Sequence, residues 1–231
     1  MISETDKFEA LQKTIVKCRE CPRLVQWRER VAQERVKRYR AEKYWGHPLS
    51  AFGDPGARLI VIGLAPGAHG GNRTGRLFTG DRSGDWLFEA LHRYGFASQP
   101  TSVSRDDGLK LHNTLITAAV RCAPPNNKPL PEEMDRCRAY LRQELRLIES
   151  EGVVVLLGQI AHHTFFKAWR EIGGVVPVRM PKFHHGAEFV LLERLTVIAS
   201  YHPSQQNTQT GKLKRDMFHQ VFRRAREILD K

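Results

Sequence analysis

Two groups of residues in this 231-residue chain have the types and spacing for chemistry. The first is the cysteines. Cys18 and Cys21 form C-R-E-C-P, Cys122 and Cys137 form C-x14-C, and the chain has 4 cysteines in all. One C-x-x-C plus a distant pair fits disulfides, a structural zinc ion or an iron–sulfur cluster. Disulfides belong mostly to oxidising compartments and to small, disulfide-dense scaffolds, so they fit poorly here. Zinc takes four thiolates, usually from two close knuckles. A cluster tolerates wide separation because the fold gathers its ligands. Spacing alone leaves cluster and zinc level, with two buried thiol pairs as the plain structural alternative.

The second group lies in GLAPGAHGGNRTGRLFTGD, residues 63–81, and in HPSQQNTQTG, residues 202–211. The glycine-rich loop follows the branched apolar run RLIVI and precedes SGDWLFEALHRYGF, which reads as a helix. An open α/β sheet places its ligand at such a strand-to-helix loop. The loop is not a phosphate loop, because no Gly-Lys-Ser/Thr closes it. Nor is it the dinucleotide fingerprint, because Gly-x-Gly-x-x-Gly does not open the helix. Asp81 ends the loop, and Ser83 is a plausible helix cap. His202 follows an apolar strand and so should stand at the sheet's carboxyl edge.

The elements that must position these residues alternate. Strands are expected at 58–64, 111–120, 153–157 and 195–200, with an extra strand within 183–192. Helices are expected at 84–94, 131–149, 159–172 and 212–229. Residues 4–42 read as helical, with Phe8, Leu11, Ile15 and Val16 as an apolar stripe. Alternating strands and helices imply a parallel sheet covered on both faces. No repeat, low-complexity tract or linker divides the chain, so residues 1–231 read as one domain with an N-terminal helical segment.

The composition narrows the partner. The formal net charge is +12 and hydrophobic residues make up 41%. The chain is expected to be globular, and so large a positive excess points to a polyanion. A merely basic soluble protein is the bland alternative. No apolar run approaches the ~20 residues that cross a bilayer. The start, MISETDKFEALQKTIVKCRE, has no apolar signal region. No membrane partner and a reducing cytoplasm are therefore expected.

With the cysteines, residues 63–81, residues 118–133 (AAVRCAPPNNKPLPEE) and residues 202–211, the chain resembles the uracil-DNA glycosylase superfamily, most closely its family 5. The matching stretches run in order from Cys18 to Gly211. The resemblance implies a three-layer α/β/α sandwich around a four-stranded, mostly parallel sheet. It implies a [4Fe–4S] cluster on Cys18, Cys21, Cys122 and Cys137, with zinc as the alternative. It also implies base excision from double-stranded, and in some cases single-stranded, DNA carrying deaminated bases, by a monomer. Family 4 has Glu where this chain has Leu64, an acidic residue where it reads His69-Gly70-Gly71-Asn72, and a uracil-reading Asn at or near Ala118. Those departures resemble the family 5 pattern and imply a broader pocket, with hypoxanthine and xanthine beside uracil.

Base excision needs a carboxylate near the sugar, a donor for the departing base anion and a stacking face. Asp81 is the carboxylate, with a helix-terminal acid as the alternative role. Phe78 is the stacking face, with a loop anchor as the alternative. Backbone N–H groups around Gly63, Ala65 and Gly67 are placed to meet base oxygens. His202 is the donor, against a simple turn residue before Pro203. Asn126 and Asn127 lie near a cysteine; Asn127 is slightly favoured for the base or water, and turn geometry explains both equally well. Ser204, Gln205, Gln206 and Asn207 are expected at phosphates and in the gap left by the base. Arg73, with His69 and Asn72, is expected at the pocket or a phosphate. The basic run 28–43, with Tyr39, Tyr44 and Trp45, either extends the DNA footprint or is a solvated face. Rival readings are a non-catalytic iron–sulfur DNA-binding module, a hydrolase of free nucleotides and a zinc structural protein.

Overall fold

The computed structural model describes residues 3–147, 151–176, 179–192 and 195–231. Helix α1 spans Glu4–Val16. Ser3 caps it, accepting from the Asp6 amide at 3.0 Å while Asp6 accepts from the Ser3 amide at 3.2 Å. Its stripe buries Phe8, Leu11 and Ile15. The expected helix over 4–42 is in fact broken. It stops at Val16, restarts at Pro22 as α2 (Pro22–Glu34) and ends again at Arg35, whose φ is 48°. Proline disfavours a helical residue before it but suits the first helical turn. Cys18 and Cys21 thus sit on a short non-helical link rather than inside a helix.

The sheet has six strands in the order β1-β3-β2-β4-β6-β5. Four are the expected parallel ones: β2 (Leu59–Gly63), β3 (Thr114–Ala118), β4 (Gly152–Leu157) and β6 (Leu195–Ser200). The four-stranded expectation falls short by two antiparallel edges. The strand expected within 183–192 is β5 (Glu188–Leu192), against β6. β1 (Phe52–Gly53) pairs with β3 and is too short to leave a periodic trace in the sequence.

Every described residue of β2, β3 and β4 is buried, as a sheet covered on both faces requires. Alternate side chains divide between two cores. Leu59, Val61, Val153 and Val155 meet α4 (Arg82–Arg93) and α8 (Arg215–Leu229) through Leu87, Phe88, Phe218 and Phe222. Ile60, Ile62, Val154 and Leu156 meet α5 (Pro131–Leu147) and α6 (Gln159–Glu171) through Leu141, Phe165, Phe166 and Trp169. This is the three-layer arrangement. Two short helices complete the chain, α3 (Gly71–Thr74) inside the glycine loop and α7 (Gln205–Gln209) after His202. No described helix is long and apolar enough to cross a membrane.

β2 is the switch point: the chain leaves it for β3 on one side and later returns to β4 on the other. The glycine loop therefore opens at the carboxyl end of β2, where open sheets take their ligands.

Candidate active site

The loop between β2 and α4 folds back over the end of β2. A Cβ on Gly63 would lie 2.6 Å from Phe78 Cζ, so the bare glycine lets the Phe78 ring lie on the strand end. Phe78 itself has φ 53°, a left-handed conformation a bulky residue adopts only under constraint. Its ring stacks on His202, with centroids 6.0 Å apart and planes 27° from parallel. His202 comes from the end of β6, two strands away. Gly158, just past β4, leaves the gap: a Cβ there would stand 3.2 Å from His202 Cβ. The His202 carbonyl accepts from Asn207 Nδ2 at 2.8 Å, which fixes the turn. Three segments distant in sequence thus meet at one edge.

Asp81 caps α4. Its Oδ1 accepts from the Gly84 amide at 3.0 Å. The cap is Asp81 and not Ser83, so the helix begins earlier than expected. Its other oxygen, Oδ2, lies against Gly70, where a Cβ would come within 2.2 Å of it, and beside Gly67, where one would stand 3.3 Å away. Burial raises the Asp81 pKa, opposed by hydrogen bonds from the Gly84 and Ser83 amides. Burial alone lowers the His202 pKa to about 4, so its imidazole is neutral at pH 7 and carries one N–H to donate.

Across from Gly63, in register on β3, is Ala118, buried and bearing only a methyl group. Ala65 packs beside Leu24 and Cys122, joining the loop to the cysteines. The residues expected at phosphates within the loop point inward. Arg73 is nearly buried: its Nε donates to the His69 carbonyl at 2.8 Å, its Nη2 to the Gly80 carbonyl at 3.2 Å, its Nη1 pairs with Glu42, and its guanidinium lies 4.0 Å from the Tyr39 ring centre. Asn72 donates to the Arg28 carbonyl at 3.2 Å, and His69 Nδ1 meets the Tyr44 hydroxyl at 3.1 Å. These three hold the loop's shape. Ser204 caps α7, accepting from the Asn207 amide at 3.4 Å, while Gln205 and Gln206 are exposed. Asn126 and Asn127 are exposed, each with φ 54°, a left-handed turn that Asn tolerates. No hydrogen bond among the described residues joins either to Asp81 or His202.

The cysteines converge where the sequence left them far apart. Cys18, Cys21, Cys122 and Cys137 line one cavity of about 340 Å³ with Arg28, Arg121, Arg136 and Tyr140. Arg28, expected on a solvated or DNA-facing helix, is 1% exposed; it donates from Nη1 to Cys122 Sγ at 2.9 Å and from Nη2 to the Cys18 carbonyl at 3.3 Å. The Arg121 amide donates to Cys137 Sγ at 3.3 Å. Arg28 Nε and Arg121 Nε and Nη1 are buried with no hydrogen-bond partner among the described residues. Among those residues no three His, Cys, Asp or Glu side chains converge to hold a single metal ion. Burial pushes the Cys122 thiol up to about 11 and Cys137 to about 12, so neither is a free nucleophile.

Arg121 supports the cysteine cavity and escaped sequence reasoning, while Arg28 and Tyr44, read with the basic run as a DNA footprint or solvated face, turn inward to the cysteines and to His69. Their partners lie tens of positions away, and nothing in a local pattern marks a buried arginine.

Fold and site together define an α/β protein whose glycine loop, at a sheet switch point, lays an aromatic ring against a neutral imidazole and carries a carboxylate at its end. The family model of the uracil DNA glycosylase superfamily matches residues 50–226, and the chain belongs to that superfamily. Its relatives sharpen the placement. It is 48% identical to a type-5 uracil-DNA glycosylase of Thermus thermophilus, covering 95% of this chain and 97% of that one. It is 45% identical to one of Pyrobaculum aerophilum (94% and 92%) and 44% identical to one of Mycobacterium leprae (94% of each).

Proposed function

We propose that this chain is a type-5 uracil-DNA glycosylase. It extrudes a deaminated base from DNA and hydrolyses its N-glycosidic bond, without cutting the strand. The observation that carries the reading is the Phe78 ring laid on Gly63 at the end of β2 and stacked on His202, with Asp81 three residues further along the same loop, in a member of this superfamily.

The chemistry follows from those groups. The bond between C1′ of the sugar and the base nitrogen breaks, and its electron pair leaves with the base. Positive charge builds on the sugar, where the Asp81 carboxylate stabilises it and orients a water. The neutral His202 donates its N–H to a base oxygen as negative charge grows there, while Phe78 stacks on the base. Water attacks C1′; its proton leaves, and the departed base takes up a proton. Backbone N–H groups along Gly63–Gly67 meet carbonyl oxygens that uracil, hypoxanthine and xanthine share. Ala118 offers no amide to select among those bases. Both features support the broader substrate range.

The cysteine cavity fits a [4Fe–4S] cluster better than zinc. Four thiolates on one zinc converge to about 3.8 Å of one another, given Zn–S bonds of about 2.3 Å. A cluster needs them spread around a cage instead. The unpartnered guanidinium N–H groups of Arg28 and Arg121 are donors suited to an anionic, sulfide-rich group. Held there, the cluster ties the Cys18–Cys21 link to β3 and α5, a structural role.

The test is excision from a labelled duplex carrying one uracil, followed by alkali, with wild type and Asp81→Asn. Asparagine still caps α4, so the fold stands. Excision should collapse by about 10²–10³-fold while duplex binding persists. Hypoxanthine and xanthine duplexes give the substrate range, and visible absorption of the same protein separates cluster from zinc. A loaded protein that removes neither uracil nor hypoxanthine would sink the reading.

A further inference from the structure

We infer that His185 is a positioning residue for excision: its neutral imidazole makes the last rung beside β6 and so sets where His202 stands. The inference rests on the glycosylase reading above and assigns a residue that reading does not use.

His202 lies two residues past the end of β6, beyond the ladder that fixes the strand. Its donor must still hold a fixed place, because displacing a reacting group by about 1 Å costs about 10²-fold in rate. The backbone there is held from both sides. On the β4 side the Gly158 amide donates to the Ser200 carbonyl at 2.8 Å. On the β5 side the Tyr201 amide, one residue before His202, donates to His185 Nδ1 at 3.2 Å.

That second rung is a side chain standing in for backbone. Every second residue of a strand bonds to the same neighbour. Ala199 faces the β5 side, where its amide donates to the Ala187 carbonyl and its carbonyl accepts from the Gly186 amide, both at 2.8 Å. Tyr201 is the next residue on that side. Before Ala187 the chain makes a tight turn: the Ala187 amide donates to the His184 carbonyl at 3.2 Å, and Gly186 takes φ 76°. The Tyr201 amide has no backbone partner among the described residues, and the His185 ring serves it instead. The His185 and Tyr201 rings lie together, with centroids 5.2 Å apart and planes 31° from parallel.

The partners of the imidazole fix its state. The Met217 carbonyl, in the first turn of α8, can only accept, and His185 Nε2 meets it at 3.2 Å, so Nε2 carries the proton. The Tyr201 amide can only donate, so Nδ1 is bare. Ser200 Oγ stands 3.5 Å from Nδ1 and donates to the Tyr201 carbonyl at 3.0 Å. Burial lowers the His185 pKa, opposed by the bond to Met217, which suits a neutral ring. One tautomer thus uses both nitrogens and ties the start of α8 to the segment that carries His202. An apolar side chain of similar size would fill the space and make neither bond.

The test measures single-turnover excision of uracil from a duplex, and duplex affinity, for wild type and three variants. His185→Asn puts a carbonyl oxygen near the place of Nδ1, His185→Gln puts an amide N–H near that of Nε2, and His185→Leu supplies neither. His185→Leu and His185→Gln should excise about 10–10²-fold more slowly with duplex affinity unchanged, and His185→Asn should recover most of the rate. Hydrogen exchange at the Tyr201 amide should quicken in the first two and not in the third. In a His202→Ala background, His185→Leu should slow excision no further, because nothing is left for it to position. The inference is overturned if His185→Leu excises like wild type, if His185→Gln recovers the rate as well as His185→Asn, or if His185→Leu costs the same with and without His202. Wild-type excision in the same assay keeps the glycosylase reading intact in each of those events.

Discussion

At the residue scale the site depends on what is missing as much as on what is present. Gly63 and Gly70 carry no Cβ because Phe78 and Asp81 occupy that space. In Gly63→Ala the new methyl would meet Phe78 Cζ at 2.6 Å, so the ring must leave the strand end or the strand must shift. Overpacking of this kind destabilises by about 1–3 kcal/mol. Excision should fall along with the melting temperature, and the loss in kcat should exceed any change in duplex affinity. The raised pKa of Asp81 has a kinetic counterpart. In the proposed mechanism the carboxylate stabilises the sugar only when ionised, so the rate should fall as pH drops through its pKa. The midpoint of that acid limb should lie above the ordinary aspartate value.

At the element scale the cysteine cavity is built by an ion pair that no motif announces. Arg121, from the strand-end segment after β3, pairs with Glu144 of α5, and both are buried. Glu144 also accepts from Thr117 Oγ1 at 2.7 Å and from Gln12 Nε2 at 2.9 Å, so β3, α5 and α1 meet on one carboxylate. Glu144→Gln leaves the Arg121 charge buried and uncompensated, which costs about 3–5 kcal/mol. The urea midpoint should fall accordingly, and the cluster proposed for this cavity should be lost more readily, since the Arg121 amide also donates to Cys137. The four parallel strands and the helices between them were legible to within a few residues, because each is a local apolar run with its own period. The two-residue β1 was not, since it exists only against β3, while the break before Pro22 and the cap from Asp81 to Gly84 are local features too short to leave a period.

At the scale of the whole molecule, acid should loosen the fold before it reaches the carboxylates. Burial lowers His162, set among Phe166, Phe183 and Phe189, to about 4, as it does His202. Unfolded histidine titrates near 6.5. Between those values the unfolded chain binds more protons than the folded one, so stability rises with pH across the window and is lost as pH falls from about 6.5 to about 4. The melting temperature should therefore decline over that range. His162→Phe, which keeps an aromatic ring in the site, should flatten the decline.

The sequence by itself determined the alternation of strands and helices, the place of the glycine loop at a strand end, and the presence of four thiols and a basic surplus. These are local periods and counts, and they survive whatever the chain does in three dimensions. Only the tertiary structure decided which of them meet. It brought Cys18 and Cys21 to Cys122 and Cys137, and laid Phe78 on Gly63 beside His202. It turned Arg73 and Arg28 inward. Each of those outcomes depends on contacts between residues tens of positions apart. A side chain's direction is set by the packing around it and not by its neighbours in the chain.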